Sequence, residues 1–319
     1  MSQPESAVAD SRAGDRAGGT SPNGKESLSA LAERHGLRRA IARPSLPVYL
    51  RQLWDRRHFV LTYATSRNVS KYSDSALGQL WQVLTPLLNA AVYFLMFGVI
   101  LGQKKDLTNY TAFLITGVFV YSYTQRSITG GAKSISGNLS LIRALHFPRA
   151  ALPLAYTIQE FQQLAISMGV LFVIVLVTGE PLTWAWLLIP FALLLQTIFN
   201  VGISLLLARV GAFVRDMNQL LPFILRTWLY TSGVFYSIPA KMKGSPEWAR
   251  FLLEFNPPSV FIDLMRHLLL RSYGHDLQVH QFPHSTLPQL WLYAGFWAAV
   301  ALIGGFWYFW RAEERYGRG

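Results

Sequence analysis

The sequence predicts an all-α membrane protein with six transmembrane helices, an N-terminal amphipathic helix at the membrane interface, and short re-entrant or surface helices before the last span. About half of its 319 residues (51%) are hydrophobic and only 14% are charged, whereas about a quarter of the residues in average soluble domains are charged. The apolar residues also gather into runs that approach the roughly 20 residues needed to cross a bilayer. The predicted spans are Leu80–Leu101, Tyr110–Thr124, Ala151–Val177, Trp184–Ala208, Met217–Tyr236 and Pro288–Trp310.

The N-terminal part divides into two regions by composition. Residues 1–44 are rich in Ala, Ser, Gly, Asp and Arg, which is typical of a disordered cytoplasmic leader. Residues 45–79 predict an amphipathic helix and a lead-in, because apolar residues recur at helical spacing between Leu46 and Leu61. A basic helix with Trp on its apolar side suits the membrane surface, and an ordinary helix packed on the spans has the same pattern. The candidate interfacial residues are Leu46, Leu50, Arg51, Leu53 and Trp54.

The membrane domain is predicted over residues 80–310, with a cytoplasmic tail over residues 311–319. The connection before the last span is long, and within it Glu247–Leu270 alternates apolar and charged residues around Pro257 and Pro258. Each half is too short and too polar to cross a bilayer. Two short helices that dip into the outer leaflet or lie on it fit the pattern, because irregular backbone at that depth must be shielded. A small external cap fits it equally well.

The positions of the basic residues predict the topology. The formal net charge is +12, which as a total would suit a nucleic-acid-binding protein. With a cytoplasmic N-terminus, however, 21 Lys and Arg residues fall on the inner side of the membrane and seven on the outer side. Because short-loop Lys and Arg stay cytoplasmic, we expect a multi-pass plasma-membrane protein with both termini inside and no nucleic-acid partner.

The polar residues predict no catalytic site. The sequence contains no HExxH, no GxSxG and no paired-aspartate motif, and no phosphate-binding loop with which the chain could hydrolyse ATP. We therefore expect no catalytic residue, no metal site and no cofactor bound by this chain.

Two charged residues lie inside predicted spans, where ionisable groups are costly and are candidates for function. Glu160 and Arg226 each lie about ten residues beyond the cytoplasmic end of a span, which places both roughly 15 Å deep. Equal depth predicts a structural ion pair between them. Alternatively, Arg226 lines a polar path and meets a passing phosphate. The nearby Trp228 and Tyr230 belong either to an interfacial aromatic belt or to the wall of such a path.

Three motifs carry a family resemblance that runs in order from about residue 47 to residue 310. They are the NxxLIR…FPR block that begins at Asn138, the pair Arg215 and Asp216 before the fifth span, and Asn256–Pro257 after it. In combination they resemble the permease subunit of type-2 ABC exporters, in the branch that moves O-antigen, teichoic acid and related polyprenyl-linked polymers. One departure is Gly233, in TSGVFY, where many relatives carry a proline.

The resemblance implies an assembly. Two copies of the permease form a homodimer, two separate subunits that bind ATP and Mg²⁺ dock on its cytoplasmic face, and a channel carries a glycan attached to a lipid diphosphate among the membrane lipids. The amphipathic N-terminal stretch matches the family's interfacial helix, Arg215 and Asp216 match its inner gate, and residues 247–270 match its re-entrant helices. The candidate gate and path residues are Arg215, Asp216, Arg226, Glu160, Trp228 and Tyr230.

The resemblance also implies that the segment NLSLIRALHFPR is a cytoplasmic coupling helix that sits in a cleft of the ATPase. Its apolar residues Leu141, Ile142 and Leu145 fall roughly on one side of a short helix, and we expect a docked partner to bury that side. Alternatively, no partner is needed to explain the arginines, because basic residues in short loops are retained in the cytoplasm. The candidate coupling residues are Asn138, Leu141, Ile142, Arg143, Leu145, His146 and Arg149.

Two alternatives remain open at the level of the sequence. A type-2 ABC exporter of a small hydrophobic molecule or drug would share the spans and the coupling loop. A membrane-embedded polyprenyl-sugar transferase would instead turn over substrate without a partner, and the absence of a carboxylate-rich surface loop argues against it.

Overall fold

The computed structural model describes residues 44–73, 76–102, 107–145, 147–214 and 216–316, and every regular element in these ranges is helical. The all-α prediction is therefore confirmed, and most of the predicted leader lies outside the described residues. The helices are α1 (Leu46–Asp55), α2 (Arg57–Ser70), α3 (Trp81–Tyr93), α4 (Tyr110–Lys133), α5 (Leu139–Ala144), α6 (Ala151–Val177), α7 (Ile189–Phe213), α8 (Met217–Thr231), α9 (Ile238–Lys241), α10 (Glu247–Glu254), α11 (Pro257–Leu269), α12 (Arg271–Val279) and α13 (Leu287–Trp310).

Four stretches in the described part of the chain are long and apolar enough to cross a membrane: Gly78–Ile100, Ala151–Val177, Trp184–Phe213 and Leu287–Trp310. The predicted second and fifth spans form helices α4 and α8, but neither meets this criterion. Helix α4 is polar through its second half, and α8 has only 15 residues, or about 22 Å at the α-helical rise. A multi-pass membrane protein follows, and the count of six spans stays a prediction.

Helix α4 lies at the centre of the bundle, where it packs against α6, α7 and α11. Its polar groups are bonded to its neighbours, which explains how a helix this polar can be buried. The Tyr123 hydroxyl donates to Thr197 Oγ1 at 2.9 Å, and Gln196 Nε2 donates to the main-chain oxygen of Val120 at 2.9 Å. Polar residues thus tie α4 to α7 inside the core.

Helices α7 and α13 approach each other most closely at two glycines. A Cβ atom on Gly305 would overlap the main-chain oxygen of Gly202, and a Cβ on Gly202 would overlap the backbone of Ala301. Small residues let helix backbones approach to van der Waals contact in membrane bundles. The two glycines therefore set the distance between α7 and α13.

We expect Gly305→Ala to destabilise the protein by about 1–3 kcal/mol, because an extra methyl group at a closed backbone contact forces the helices apart. Thermal unfolding of the detergent-solubilised protein measures the effect. Gly304→Ala is the matched control, since a Cβ on Gly304 meets no atom within 4 Å. Equal losses in the two variants would contradict this role for the α7–α13 contact.

The predicted continuous amphipathic helix over Leu46–Leu61 is wrong in one respect. The chain forms two helices that meet at Arg56, whose backbone angles (φ −91°, ψ 10°) depart from those of an α-helix. Within α1, Tyr49 is buried, Leu53 is half-buried, and Trp54 is 69% exposed. The break turns the apolar residues in different directions: some pack on the bundle, and Trp54 faces outward, where an interfacial residue would lie.

The connection before α13 breaks into helices as its prolines predict. Helices α10 and α11 are separated at Phe255 and Asn256, directly before Pro257. Helix α11 is almost entirely buried and packs against α4 and α13, so it belongs to the core of the bundle. Helix α10 instead exposes Trp248 and Leu252. The two halves, which look alike in sequence, have different surroundings.

Candidate functional site

The predicted coupling segment is a short connection between α4 and α6 that hydrogen bonds hold to neighbouring helices. Helix α5 has six residues, and Asn138 directly precedes it. The Asn138 side chain donates to the main-chain oxygen of Ser134 at 2.7 Å and to the Tyr156 hydroxyl at 3.1 Å, and it accepts a hydrogen bond from the Tyr63 hydroxyl at 2.8 Å. Asn138 therefore fastens the start of the segment to α2 and α6.

The prediction that Leu141, Ile142 and Leu145 form one open apolar side is wrong. Ile142 is only 7% exposed because it packs in a core cluster of this chain, and Leu141 is half-buried against the same cluster. Helix α5 ends at Ala144, and Leu145 has an extended backbone that leaves its side chain 50% exposed. His146 lies outside the described residues. A partner can thus reach the exposed Arg143 and Leu145, but not Ile142.

The end of the segment is held by a buried carboxylate that the sequence analysis missed. The backbone N–H of Arg149 donates to Glu313 Oε1 at 3.0 Å, and the Arg149 guanidinium donates to the main-chain oxygen of Glu313. The Tyr49 hydroxyl donates to Glu313 Oε2 at 2.9 Å and accepts from the backbone N–H of Ala150 at 3.1 Å. We call these four residues the Glu313 node; it joins α1, the coupling segment and the tail after α13.

Burial dominates the electrostatics of the Glu313 node. It raises the pKa of the Glu313 carboxyl above its usual range, although the backbone N–H and the charge of Arg149 lower that pKa in part. Burial and then the neighbouring Glu313 carboxylate raise the pKa of Tyr49 well above its usual value. Tyr49 therefore keeps its proton and remains a hydrogen-bond donor. A carboxylate three residues after an apolar helix was the available signal for this site.

The predicted ion pair between Glu160 and Arg226 is wrong. Glu160 is bonded instead to Arg126 Nε at 2.9 Å and lies 3.7 Å from Lys71 Nζ. The error has a physical cause: α4 continues to Lys133, whereas the predicted span ended at Thr124, and the extra turns bring Arg126 alongside α6. Arg226 is exposed on α8.

The candidate path residues on α8 have different surroundings. Arg226 and Tyr230 are exposed, as a path residue must be, whereas Trp228 is half-buried and donates its Nε1 hydrogen to Asn256 Oδ1 at 2.7 Å. Trp228 therefore joins α8 to the start of α11. Asp216 is exposed at the N-terminal end of α8, and Arg215 lies outside the described residues.

Sequence reasoning also missed Arg266, which it counted as an outer surface charge. Its side chain is buried, and its three nitrogens donate to the main-chain oxygens of Phe113 at 3.2 Å, Gly233 at 2.9 Å and Val234 at 2.9 Å. The guanidinium carbon also lies 3.3 Å from the centroid of the Phe113 ring. Gly233 has a positive φ of 66° in the turn that follows α8. A single arginine within the apolar sequence SVFIDLMRHLLL was the signal for this buried group.

Comparison with known proteins identifies the family. The family model described as "ABC-2 type transporter" matches residues 60–270, which include the coupling segment, α8 and α11. The O-antigen export system permease protein RfbA of Klebsiella pneumoniae is 28% identical over 216 residues, which are 67% of this chain and 81% of that protein. RfbA of Myxococcus xanthus is 26% identical over 228 residues, 72% of this chain and 85% of that protein. The chain therefore belongs to the ABC-2 type transporter family.

Proposed function

We propose that this chain is the permease subunit of an ATP-driven exporter that moves a polyprenyl-diphosphate-linked polysaccharide from the cytoplasm across the plasma membrane. The cargo is an O-antigen-like glycan, a cell-wall galactan or a teichoic-acid-like polymer. The observation that carries the proposal is the similarity to O-antigen export permeases, which extends over more than four-fifths of their length. The chain crosses the membrane six times with both termini in the cytoplasm.

The assembly in this proposal contains two permeases and two ATPase subunits, and ATP and Mg²⁺ bind to the latter. Each ATPase contacts a permease at the coupling segment, around Arg143 and Leu145. Two observations support this site. The segment exposes a basic and an apolar side chain two residues apart, and hydrogen bonds at both ends keep it in place.

The anchors define how a displacement of the coupling segment reaches the membrane helices. Asn138 ties its start to α2 and α6, and the Glu313 node ties its end to α1 and to the tail that follows α13. A displacement of α5 is therefore transmitted to α2 and α6 at one end of the segment and to α1 and the tail after α13 at the other. Movement of these helices opens the path along the exposed side of α8, where Arg226 and Tyr230 face the cargo.

Depletion of the protein in its native cell tests the function. We expect lipid-linked polymer to accumulate on the cytoplasmic leaflet, where a glycan-specific lectin reaches it only after the membrane is permeabilised. If polymer synthesis stops and nothing accumulates, the chain is not the exporter, and a transferase of envelope synthesis becomes the better assignment.

The double variant Arg143→Glu, Leu145→Asp is expected to lower export at least tenfold and to leave the amount of inserted protein unchanged. Both side chains are exposed, so the substitutions reverse the charge and polarity of the docking surface without disturbing the core. Polymer at the cell surface and permease in the membrane fraction are measured together. Arg311→Glu, an exposed arginine after α13, is the control for charge. An equal loss of insertion would show that the segment serves topology instead.

A further inference from the structure

The described residues contain a cluster of basic side chains where α2, α4 and α6 meet. Arg67 and Lys71 lie at the C-terminal end of α2, and Arg126 lies on α4. All three face the polar stretch of α6 that contains Gln159 and Glu160. We call these three basic residues, together with Glu160, the basic cluster.

The contacts of the basic cluster hold each cation in place. Arg67 Nε donates to Gln159 Oε1 at 3.1 Å, and its guanidinium lies 4.0 Å from the centroid of the Tyr156 ring. Arg126 Nε donates to Glu160 Oε2 at 2.9 Å. Lys71 Nζ lies 3.7 Å from Glu160 Oε1, so that a single carboxylate connects Lys71 and Arg126.

The basic cluster carries more positive than negative charge. Among the described residues that form it there are three cations and one carboxylate, which contacts Lys71 and Arg126 while Arg67 bonds to the neutral Gln159, and the Arg126 side chain is only 24% exposed. Removing a cation from water costs free energy unless an anion compensates for it. The net positive charge of the cluster therefore favours the binding of an anion.

The two guanidinium groups also have donors left for an anion. Within the described part of the chain, Arg67 and Arg126 form their hydrogen bonds through Nε alone, and their Nη groups bond to no protein acceptor. Bonding at Nε fixes the plane of each guanidinium, so the Nη donors are pre-oriented. Paired N–H donors of this kind match the oxygens of a phosphate group, and an ammonium such as that of Lys71 adds a third contact.

The position of the basic cluster along α6 indicates where the anion comes from. Helix α6 is polar from Gln159 to Gln163 and almost wholly apolar from Leu164 to Val177. The cluster thus lies inside the candidate span Ala151–Val177, at the boundary between its polar stretch and its long apolar part. A lipid whose tail lies along the apolar part of α6 would place its phosphates at this boundary, beside Tyr156, and tyrosines are typical of membrane interfaces.

We propose that the basic cluster binds the diphosphate group of the lipid that carries the cargo. This inference rests on the function proposed above and assigns the phosphate contacts to Arg67, Lys71 and Arg126. Glu160 is a positioning residue, because it orients Arg126 and keeps Lys71 beside it. A diphosphate uses the donors of both arginines, whereas the single phosphate of a common phospholipid offers fewer oxygens.

Binding of polyprenyl diphosphate without glycan to the purified complex of permease and ATPase tests the site. We expect Arg67→Gln and Arg126→Gln each to weaken binding about tenfold or more, since each removes one charged hydrogen-bonding partner of a phosphate. Arg67→Lys keeps the charge and should lose less. Arg311→Gln is the matched control, because Arg311 stacks on Trp307 at 3.9 Å as Arg67 stacks on Tyr156.

The outcomes of this experiment distinguish failure of the proposed site from failure of the proposed function. If the unaltered complex binds polyprenyl diphosphate and both variants bind it equally well, the site is wrong and the exporter assignment stands. If the unaltered complex binds none, the proposed lipid-linked cargo is contradicted together with the site. If the variants lose binding to phosphatidylglycerol vesicles to the same degree, the cluster is a general anionic-lipid site. Thermal unfolding of each variant identifies misfolding, and should Arg126→Gln fail to fold, Arg67→Gln decides the result.

Discussion

Replacing Arg266 with Ala is expected to destabilise the protein by about 3 kcal/mol or more. The substitution removes the donors to the main-chain oxygens of Gly233 and Val234, which lie outside helices, and a second donor to the oxygen of Phe113 in α4. Each buried acceptor left without a partner costs about 1–3 kcal/mol. It also opens a cavity beside the Phe113 ring, which the guanidinium covers. Because these contacts join α11, α4 and the turn after α8, the end of the bundle that contains this turn should lose its packing first.

Thermal unfolding in detergent and the level of protein in the membrane fraction measure the effect of Arg266→Ala. Arg271→Ala is the control, since Arg271 lies five residues further along the chain and is exposed. Gly117→Ala offers an independent route to the same defect, because its Cβ would lie 2.6 Å from Arg266 Nη2. A loss below about 1 kcal/mol in Arg266→Ala would mean that water satisfies the three oxygens and that the arginine is dispensable.

The second large effect is expected from Glu313→Ala. The change leaves the Tyr49 hydroxyl and the backbone N–H of Arg149 without their shared acceptor, so the coupling segment loses its attachment to α1 and to the tail. We expect export to fall at least tenfold and the ATPase to remain bound, because Arg143 and Leu145 are unchanged. The free energy lost at the Glu313 node is about 2–4 kcal/mol, as two hydrogen bonds to a charged group are broken.

The absence of cysteine from the sequence makes the Glu313→Ala result easy to measure. A single cysteine in place of Leu145 reports the mobility of the coupling segment through its rate of labelling by a maleimide. That rate should change in Glu313→Ala and stay the same in Asp55→Ala, which alters an exposed carboxylate on α1. A double-mutant cycle of Tyr49→Phe with Glu313→Gln then gives the coupling free energy between the two side chains. An unchanged labelling rate in Glu313→Ala would mean that other contacts hold the segment.

Local properties of the sequence predicted the helices and their order. The apolar runs in the sequence predicted the four stretches that are long and apolar enough to cross a membrane, and Pro257 and Pro258 predicted the break between α10 and α11. These features succeed because a helix that crosses or enters a membrane satisfies its backbone within one continuous segment. The positions of the basic residues along the chain predict one orientation in the membrane, which stays a prediction.

Span limits and span counts were less predictable where a helix is polar. Helix α4 continues nine residues beyond its predicted end at Thr124, and polar groups in this part bond to neighbouring helices: Arg126 to Glu160 on α6, and the main-chain oxygen of Ser127 to Ser204 Oγ on α7. A hydropathy scale gives each residue type one fixed value and takes no account of the hydrogen bonds that its polar groups form inside the protein. The same reasoning placed Arg126 in a loop, and so the partner of Glu160 was misassigned.

The sequence by itself determined that this chain is a helical membrane protein and which polar residues stand out in its apolar segments. Only the tertiary structure decided which charges meet: Glu160 with Arg126 and Lys71, and Glu313 with Tyr49 and Arg149. The physical reason is that hydrophobicity and helix propensity act over a few neighbouring residues. A hydrogen bond or an ion pair, by contrast, requires two atoms within about 3–4 Å, and the register of helices far apart in the chain sets that distance.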